Sequence, residues 1–278
     1  MAEWRLSAVQ LTSGPDWQQN LAKVRALMAQ LPRAAQHLVA LPEGVALFAG
    51  PDGLNLQLAE PLGLGPMQQG YAELAREFGC YLLVGTLPTQ SDDPLKFAAS
   101  SLLYNPAGEL VADYQKIHLF DALVNDSSKQ YQESASTAAG HKVTLARCGE
   151  LKLGLMICYD MRFPGLAQQL AQQGMNVLAV PSAFTLVTGQ AHWDPLLRAR
   201  AIETQSFVLA PAQVGTHVNG RQTYGHSLII DPWGTVLAQG DGDSEMVLSV
   251  LVDLEQCRQL ADNMPVRQHN RFKSELMK

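Results

Sequence analysis

Short apolar runs alternate with helical patterns along almost the whole chain, and this alternation limits the folds that the chain can adopt. Residues 4–11 and 37–41 have the composition of strands, and between them Leu21, Val24 and Met28 recur at helical spacing. The alternation continues downstream, where strand-like runs outnumber helical ones. The pattern is typical of a layered α/β domain, and the excess of strands favours a sandwich with hairpins over a purely parallel sheet.

Length and composition are those of one packed domain. The 278 residues are 47% hydrophobic and 17% charged, so the chain has ample apolar material for a core. No linker divides it, and we expect a single domain over residues 1–278. The polar segment 121–128 and the tail 267–278 are expected to be variable or mobile, and loops there would shape the entrance of a site.

Charge and hydropathy argue against several partners. The net charge is −6 without a cluster of Lys or Arg, so neither nucleic acid nor an anionic membrane is an expected partner. Glu3 and Arg5 interrupt the N-terminus, where a signal peptide would be apolar. The longest apolar runs, 177–180 and 228–230, are far shorter than the roughly 20 residues of a membrane span. Because the four cysteines are scattered without metal-ligand spacing, we expect a cytoplasmic protein that holds no metal.

One cysteine lies where a nucleophile would be effective. Residues 153–158 form an apolar strand that is predicted to end at Cys158, and Pro164 then begins a helix. A strand end and a helix start expose backbone N–H groups, which favour a thiolate and an oxyanion. The alternative is a small buried hydrophobe, which is the role of most free cysteines. Local context leaves both interpretations of Cys158 open.

A cysteine that attacks an amide also needs a proton acceptor and a donor to the oxyanion. Glu43 follows the predicted strand 37–41, at the end where open α/β sheets place their ligands. Lys116 lies just past another predicted strand, 110–114, and its ammonium would stabilise a tetrahedral oxyanion. Taken singly, a solvated loop glutamate and a surface lysine explain these two residues as well.

Taken together, three segments resemble the nitrilase superfamily of carbon-nitrogen hydrolases. LPEG at 41–44, YQKIHLFD at 114–121 and CYDMRFP at 158–164 are similar to its glutamate, lysine and cysteine boxes, in that family's order and approximate spacing. Further matching segments extend the resemblance over nearly the whole chain. It implies an α-β-β-α sandwich whose layers are extended in a four-layered homodimer.

The resemblance also implies a role for each site residue in the cleavage of a small linear amide. Glu43 would be the general base and Cys158 the nucleophile that forms a thioester. Lys116 and the backbone N–H of Tyr159 would surround the oxyanion. Glu133 would be a second carboxylate that positions Lys116 or Glu43.

Within the superfamily, four patterns resemble the branch that hydrolyses deaminated glutathione: CYDMRFP, PSAF, RARAIETQ and a YGHS…DPWG run. The implied reaction splits the amide between a 2-oxoglutaryl group and cysteinylglycine, releasing 2-oxoglutarate in a step of metabolite repair. An omega-amidase acting on 2-oxoglutaramate is the enzymatic alternative. A catalytically silent protein that binds a small molecule is the non-enzymatic one.

The implied substrate carries carboxylate and keto oxygens, which call for a bidentate cation. Arg162, four residues after Cys158, is the candidate, and a structural salt bridge is its alternative. Phe184 and Thr188 follow a predicted strand end on the same side and would line the pocket. Packing in the core is an equally good interpretation of Phe184.

Three histidines are better explained by structural hydrogen bonds than by a Cys-His dyad. His118, His192 and His226 lack the local signatures of dyad enzymes. His226 falls in a predicted strand, and His192 starts a predicted helix that has Pro195 in its first turn, where proline is tolerated. Residues 63–66 lack the GxGxxG context of a dinucleotide site, so we expect no cofactor.

Overall fold

The computed structural model describes residues 3–126 and 130–277. Its strands are β1 (Glu3–Gln10), β2 (His37–Ala40), β3 (Tyr81–Gln90), β4 (Phe97–Tyr104), β5 (Leu110–Gln115), β6 (Asp121–Leu123), β7 (Gln130–Gln132), β8 (Thr137–Ala138), β9 (Leu145–Cys148), β10 (Leu151–Leu155), β11 (Val177–Ala179), β12 (Phe207–Ala210), β13 (Val214–Thr216), β14 (Gln222–Tyr224), β15 (Leu228–Ile230), β16 (Val236–Gln239) and β17 (Met246–Asp253). Its α-helices are α1 (Trp17–Met28), α2 (Leu54–Gln57), α3 (Pro66–Phe78), α4 (Pro164–Gln172), α5 (Leu186–Thr204), α6 (Glu255–Asn263) and α7 (Val266–His269).

Most strands belong to two mixed sheets. The first has the order β17-β1-β2-β3-β4-β5 with β8 paired to β4, and the second has the order β16-β15-β12-β11-β10-β9. Parallel pairs lie in the middle of each sheet, joining β1, β2 and β3 in one and β10, β11 and β12 in the other. Two short hairpins, β6–β7 and β13–β14, lie outside the sheets. Parallel crossovers combined with hairpins confirm the predicted sandwich.

Alternation of apolar residues along the strands divides the core into two parts. Leu6 on β1 and Leu38 on β2 belong to a core shared with the second sheet, whereas Val9 and Val39 belong to the core beneath α1 and α3. Helices α4 and α5 cover the other face of the second sheet. Each such aliphatic side chain contributes about 1.5–3 kcal/mol when fully buried. The layers are therefore ordered α-β-β-α, as the resemblance implies.

Helix α5 begins earlier than the sequence predicts. It starts at Leu186 rather than His192, because the Thr185 hydroxyl caps it by accepting a hydrogen bond from the N–H of Thr188 at 3.2 Å. Pro195 consequently lies inside the helix and not in its first turn, so the helix loses one i→i−4 hydrogen bond there. His192 is likewise an interior residue of the helix.

The chain before Cys158 also differs from the prediction. Strand β10 ends at Leu155, so the prediction that Cys158 ends this strand is wrong. The N–H of Cys158 donates to the Pro181 carbonyl at 2.9 Å, and Cys158 then opens a 3-10 turn over 158–162 with φ of +47°. Few residues other than glycine adopt this conformation. The nucleophile candidate therefore lies on a tight turn beyond the sheet.

The segments predicted to be variable contain some regular structure. Strand β6 occupies Asp121–Leu123, whereas residues 127 and 128 of the predicted entrance loop lie outside the described residues. Helix α7 covers the start of the tail, and the Ser274 hydroxyl donates to the Gln168 side chain of α4 at 3.2 Å. Within residues 3–126 and 130–277, no helix is long and apolar enough to cross a membrane.

Candidate active site

The predicted site residues gather around one cavity of about 480 Å³. Glu43 follows β2 and Lys116 follows β5, both in the first sheet, whereas Cys158 follows β10 of the second sheet. Both sheets therefore contribute to the site. All eight predicted residues line the cavity: Glu43, Lys116, Glu133, Cys158, Tyr159, Arg162, Phe184 and Thr188.

Lys116 is the centre of an ion-pair network. Its Nζ lies 2.7 Å from Oε1 of Glu43 and 2.8 and 3.0 Å from the two carboxylate oxygens of Glu133. The Lys116 side chain is only 2% exposed, so water cannot replace these partners. Burying an unpaired ammonium costs several kcal/mol. The two carboxylates therefore hold Lys116 in one position.

Glu133 is itself held in place. It opens a 3-10 turn directly after β7, and its Oε2 also accepts a hydrogen bond from the backbone N–H of Phe120 at 2.7 Å. Of its two predicted partners, Lys116 is the one that Glu133 contacts. The 3-10 turn thus supplies a fixed counter-ion for Lys116.

Electrostatics keep Glu43 and Lys116 charged. Burial alone raises the pKa of Glu43, but the Lys116 ammonium, helped by the Cys158 thiol and Arg221, holds that pKa below its ordinary value. Burial likewise opposes the Lys116 ammonium, yet Glu133 and Glu43 raise the pKa of Lys116 well above its ordinary value. At neutral pH the cluster therefore contains a carboxylate beside an ammonium.

Cys158 is a neutral thiol in this arrangement. Burial raises its pKa and the Glu43 carboxylate raises it further, while Lys116 and the backbone N–H of Ala183 act in the opposite direction. Burial and Glu43 therefore oppose the thiolate that the strand end and the helix start were predicted to favour. Glu43 is ionised, lines the same cavity and is close enough to raise the pKa of the thiol, so it can accept the proton as sulfur attacks a substrate.

Two hydrogen-bond donors at the cavity would suit an oxyanion formed at Cys158. The backbone N–H of Tyr159 directly follows Cys158 in the chain and has no acceptor among the described residues, and the Lys116 ammonium lines the same cavity. The Tyr159 ring packs edge-on against Phe120 and Phe163, with ring centroids 5.1 and 5.4 Å apart. This packing holds the turn that carries the Tyr159 N–H.

Arg162 faces the cavity from the same turn. Its guanidinium lies over the rings of Tyr159 and Phe184, 5.8 and 5.1 Å from their centroids, and contacts Nδ1 of His192 at 3.3 Å. In the part of the chain that the structure describes, Arg162 forms no ion pair, so the alternative of a structural salt bridge is not observed. The guanidinium retains hydrogen-bonding capacity for an anion.

Phe184 and Thr188 lie beside Arg162 on the cavity wall. Phe184 is also packed against Trp193, with 5.2 Å between the ring centroids. Phe184 therefore both lines the cavity and packs in the core. The Thr188 hydroxyl is 2.8 Å from that of Thr185, where it supports the start of α5.

A second arginine in the cavity escaped the sequence reasoning. Arg221 precedes β14, and its guanidinium lies 4.8 Å from the ring centroid of Phe48 and 5.2 Å from that of Tyr131. One of its terminal nitrogens donates to the Ala183 carbonyl at 2.9 Å. Arg221 belongs to none of the recognised boxes, and only its place in a hairpin turn distinguishes it in the sequence.

A buried carboxylate, also missed, joins two of the boxes. Asp160 is fully buried and accepts hydrogen bonds from the Tyr114 hydroxyl and from the backbone N–H groups of Ile157 and His118, at 2.8, 2.9 and 2.9 Å. Nδ1 of His118 also lies 2.7 Å from Oδ1 of Asp160. Asp160 therefore fixes the turn that carries Cys158 against the segment that carries Lys116. Its position inside the cysteine box, two residues after Cys158, is the sequence feature that could have indicated this role.

An α-β-β-α sandwich that brings a glutamate, a lysine and a cysteine together at one cavity defines the class of carbon-nitrogen hydrolases. The family model described as carbon-nitrogen hydrolase matches residues 5–262. The chain belongs to this family, and the protein is a hydrolase that acts on amides.

Named relatives are similar over almost the whole chain. A protein of Yersinia enterocolitica named deaminated glutathione amidase is 42% identical over 278 residues, which are 100% of this chain and 96% of the relative. One of Homo sapiens with the same name is 39% identical over 269 residues, covering 96% of this chain and 82% of the relative. The crystal structure of the C. elegans NitFhit protein matches with a TM-score of 0.86 and 31% identity, over 98% of this chain and 66% of that longer one.

Proposed function

We propose that this protein hydrolyses deaminated glutathione to 2-oxoglutarate and cysteinylglycine through a thioester on Cys158. The observation that carries the proposal is that Cys158 shares one cavity with Glu43, which is itself paired with Lys116, and that guanidinium groups lie on the walls of this cavity. The names of the relatives from Yersinia enterocolitica and Homo sapiens support this choice of substrate.

Acylation begins when the Cys158 sulfur attacks the amide carbon and its proton passes to the Glu43 carboxylate. The carbonyl oxygen becomes an oxyanion, stabilised by the Lys116 ammonium and the N–H of Tyr159. Glu43, now a carboxylic acid, returns the proton to the leaving nitrogen as the carbon–nitrogen bond breaks. Cysteinylglycine departs, and the 2-oxoglutaryl group remains on sulfur as a thioester.

Deacylation uses the same groups with water as the nucleophile. Glu43 accepts a proton from water as the water oxygen attacks the thioester carbon, and the oxyanion forms again beside Lys116. The carbon–sulfur bond breaks, the Glu43 proton returns to the Cys158 sulfur, and 2-oxoglutarate leaves. Glu133 acts throughout by holding Lys116 in place.

Arg162 is the proposed partner of the 2-oxo acid end of the substrate. Its guanidinium lies on the turn that carries the nucleophile, and it is free of carboxylate partners among the described residues. A planar guanidinium matches a carboxylate in a bidentate manner. Phe184 and Thr188 complete this wall of the cavity.

The test is the release of 2-oxoglutarate from deaminated glutathione and from 2-oxoglutaramate, measured in parallel with a Cys158→Ala control. We expect kcat/KM for deaminated glutathione to be at least tenfold higher, which corresponds to about 1.4 kcal/mol of transition-state discrimination. A preference for 2-oxoglutaramate would instead identify an omega-amidase.

Intact mass measurement distinguishes an enzyme from a protein that only binds its ligand. After rapid mixing and acid quench, the wild type should carry a 2-oxoglutaryl adduct on Cys158, and Cys158→Ala should carry none. Cys148→Ala is the matched control, because Cys148 is also buried but lies on β9 outside the cavity lining. A wild type that binds substrate without forming an adduct would refute thioester catalysis.

We further infer a single-domain homodimer that acts in the cytoplasm. The four cysteines are free thiols, which suits a reducing compartment. Ile202 near the end of α5 and Trp233 after β15 are 49% and 67% exposed, an apolar surface that suits association of the helical layers of two copies. Analytical ultracentrifugation should give twice the monomer mass, and Ile202→Asp should weaken the dimer.

A further inference from the structure

Two guanidinium groups face the cavity, and neither is paired with a carboxylate of the described residues. Arg162 and Arg221 both line it, and the ten ion pairs of residues 3–126 and 130–277 include neither of them. The Nε of Arg221 is buried, and no described residue accepts a hydrogen bond from it. The cavity thus offers two positions for anionic groups.

The two arginines approach the cavity from different elements. Arg162 belongs to the turn of Cys158 and lies over the rings of Tyr159 and Phe184. Arg221 instead lies near Glu43, because its guanidinium lies over the Phe48 ring and that ring lies against Gly44, the residue after Glu43.

The aromatic contacts of Arg221 agree with this placement. Its guanidinium stacks on Phe48, and the Phe48 ring lies against Gly44, the residue after Glu43. The Arg221 side chain is anchored to the Ala183 carbonyl, and the backbone carbonyl of Arg221 accepts a hydrogen bond from the N–H of His217 at 2.8 Å. Arg221 is therefore presented on a fixed hairpin.

The proposed reaction assigns a direction to the leaving group. Glu43 must protonate the leaving nitrogen, so the amine half of the substrate lies on the Glu43 side of Cys158. That is the side on which Arg221 lies. Deaminated glutathione carries one carboxylate in its acyl half and one at the end of its amine half, whereas 2-oxoglutaramate carries only the first. Two unpaired cations match the longer molecule.

We propose that Arg221 binds the terminal carboxylate of the leaving amine and so selects amides of anionic dipeptides over primary amides. This inference rests on the proposed function, which it deepens by identifying a specificity-determining residue. Arg162 then serves the acyl half, which both substrates share. Phe48 and Tyr131 hold the Arg221 guanidinium between them while its outer N–H groups meet the carboxylate.

The test compares deaminated glutathione with an analogue in which glycinamide replaces the terminal glycine. The two differ by one charge at nearly equal size. The measured quantity is the ratio of their kcat/KM values, acid over amide, which cancels any effect on Glu43 or on folding that both substrates share. We expect a wild-type ratio of about 10 to 100, the range of a charge-assisted hydrogen bond, and a ratio near 1 for Arg221→Gln.

Two further variants separate Arg221 from a general cation effect. Arg162→Gln should lower kcat/KM for both substrates and leave the ratio at its wild-type value, because both carry the 2-oxo acid. Arg221→Lys keeps the charge without the planar fork and should give an intermediate ratio. In the wild type, rising salt should lower the ratio, because it screens the partly exposed pair.

The outcomes are distinguishable. A wild-type ratio near 1, or an unchanged ratio in Arg221→Gln, overturns the role of Arg221 and leaves the proposed function standing. A wild type that hydrolyses 2-oxoglutaramate but neither longer amide overturns the proposed function and this inference together. If Arg221→Gln fails to fold, the ratio in Arg221→Lys and the salt dependence of the wild type decide the matter.

Discussion

Lys116 and Arg221 are two cations of one cavity in opposite electrostatic situations. Lys116 is almost fully buried and has two carboxylates within 3.0 Å of its Nζ. Arg221 is partly exposed and has two aromatic rings and a backbone carbonyl as neighbours, but no carboxylate among the described residues forms an ion pair with it.

The contrast separates groups that react from groups that bind. Carboxylates around Lys116 keep it charged and immobile, as the proposed proton transfers between sulfur, Glu43 and the leaving nitrogen require. A cation that protein carboxylates already neutralise gains little binding free energy from an anionic ligand. Arg221, without such a partner, has its electrostatic attraction available for a ligand. Lys23 and Glu245 form an ion pair at the surface, with 2.9 Å between Nζ and Oε1. Substitutions in this pair are matched controls for substitutions in the buried pair of Lys116 and Glu43.

Glu43→Gln should have the largest effect, because it removes the proposed proton acceptor without changing the shape of the side chain. We expect kcat to fall by about 10²- to 10⁴-fold, the contribution of a positioned general base. Glu245→Gln, in the exposed pair, should keep the wild-type rate. Steady-state kinetics with deaminated glutathione check both variants. Comparable rates for Glu43→Gln and the wild type would exclude Glu43 as the base.

Lys116→Met should follow, with a loss of about 10²- to 10³-fold in kcat from the missing oxyanion donor. It should also lower the free energy of unfolding by about 3–5 kcal/mol, because Glu43 and Glu133 are left buried without a cation. Lys23→Met should change that free energy by less than about 1 kcal/mol. Chemical denaturation at pH 7 measures both variants, and equal losses would show that burial does not distinguish the two pairs.

Asp160→Asn tests the link between the two boxes. The NH₂ group of asparagine would face N–H or O–H groups that now donate hydrogen bonds to the carboxylate. The free energy of unfolding should therefore fall by about 1–3 kcal/mol. Because the turn of the nucleophile loses its anchor, kcat should fall more than KM rises. Asp194→Asn, in an exposed pair with Arg198, is the control. A destabilised Asp160→Asn protein with normal kcat would limit Asp160 to a folding role.

The smallest effect expected is a shift of the acid limb of kcat/KM. The folded pKa of Glu43 lies below its ordinary 4.5, so both activity and the stability from its ion pair persist above that pH and are lost as pH falls through the folded value. Arg221→Gln removes a cation that lowers this pKa, and the acid limb should move upward by less than about one unit. Arg198→Gln should leave it in place. A downward shift would contradict the position given to Arg221.

Local patterns predicted a layered α/β sandwich with hairpins, because strand alternation is a property of neighbouring residues. The α-β-β-α order and the lysine-centred cluster were predicted from the resemblance of three boxes to a known family. The start of α5 was missed because Pro195 suggested a first turn, whereas the Thr185 cap lies well upstream of it. Arg221 was missed because its place in the cavity is defined by contacts with Phe48 and Tyr131, which lie far away in the sequence. The neutral thiol of Cys158 was missed because burial outweighed the local backbone.

Strand β7 forms part of a wall of the cavity, and the 3-10 turn directly after it supplies the counter-ion of Lys116. Tyr131 on β7 contacts the Arg221 guanidinium, and Glu133 follows two residues later. An evolutionary exchange or laboratory graft that included both β7 and Glu133 would change ligand preference and the charge beside Lys116 at the same time. Relatives with new substrates would therefore have to diversify the hairpin up to Gln132 while keeping a carboxylate at the next position, which gives protein engineers a defined boundary for libraries.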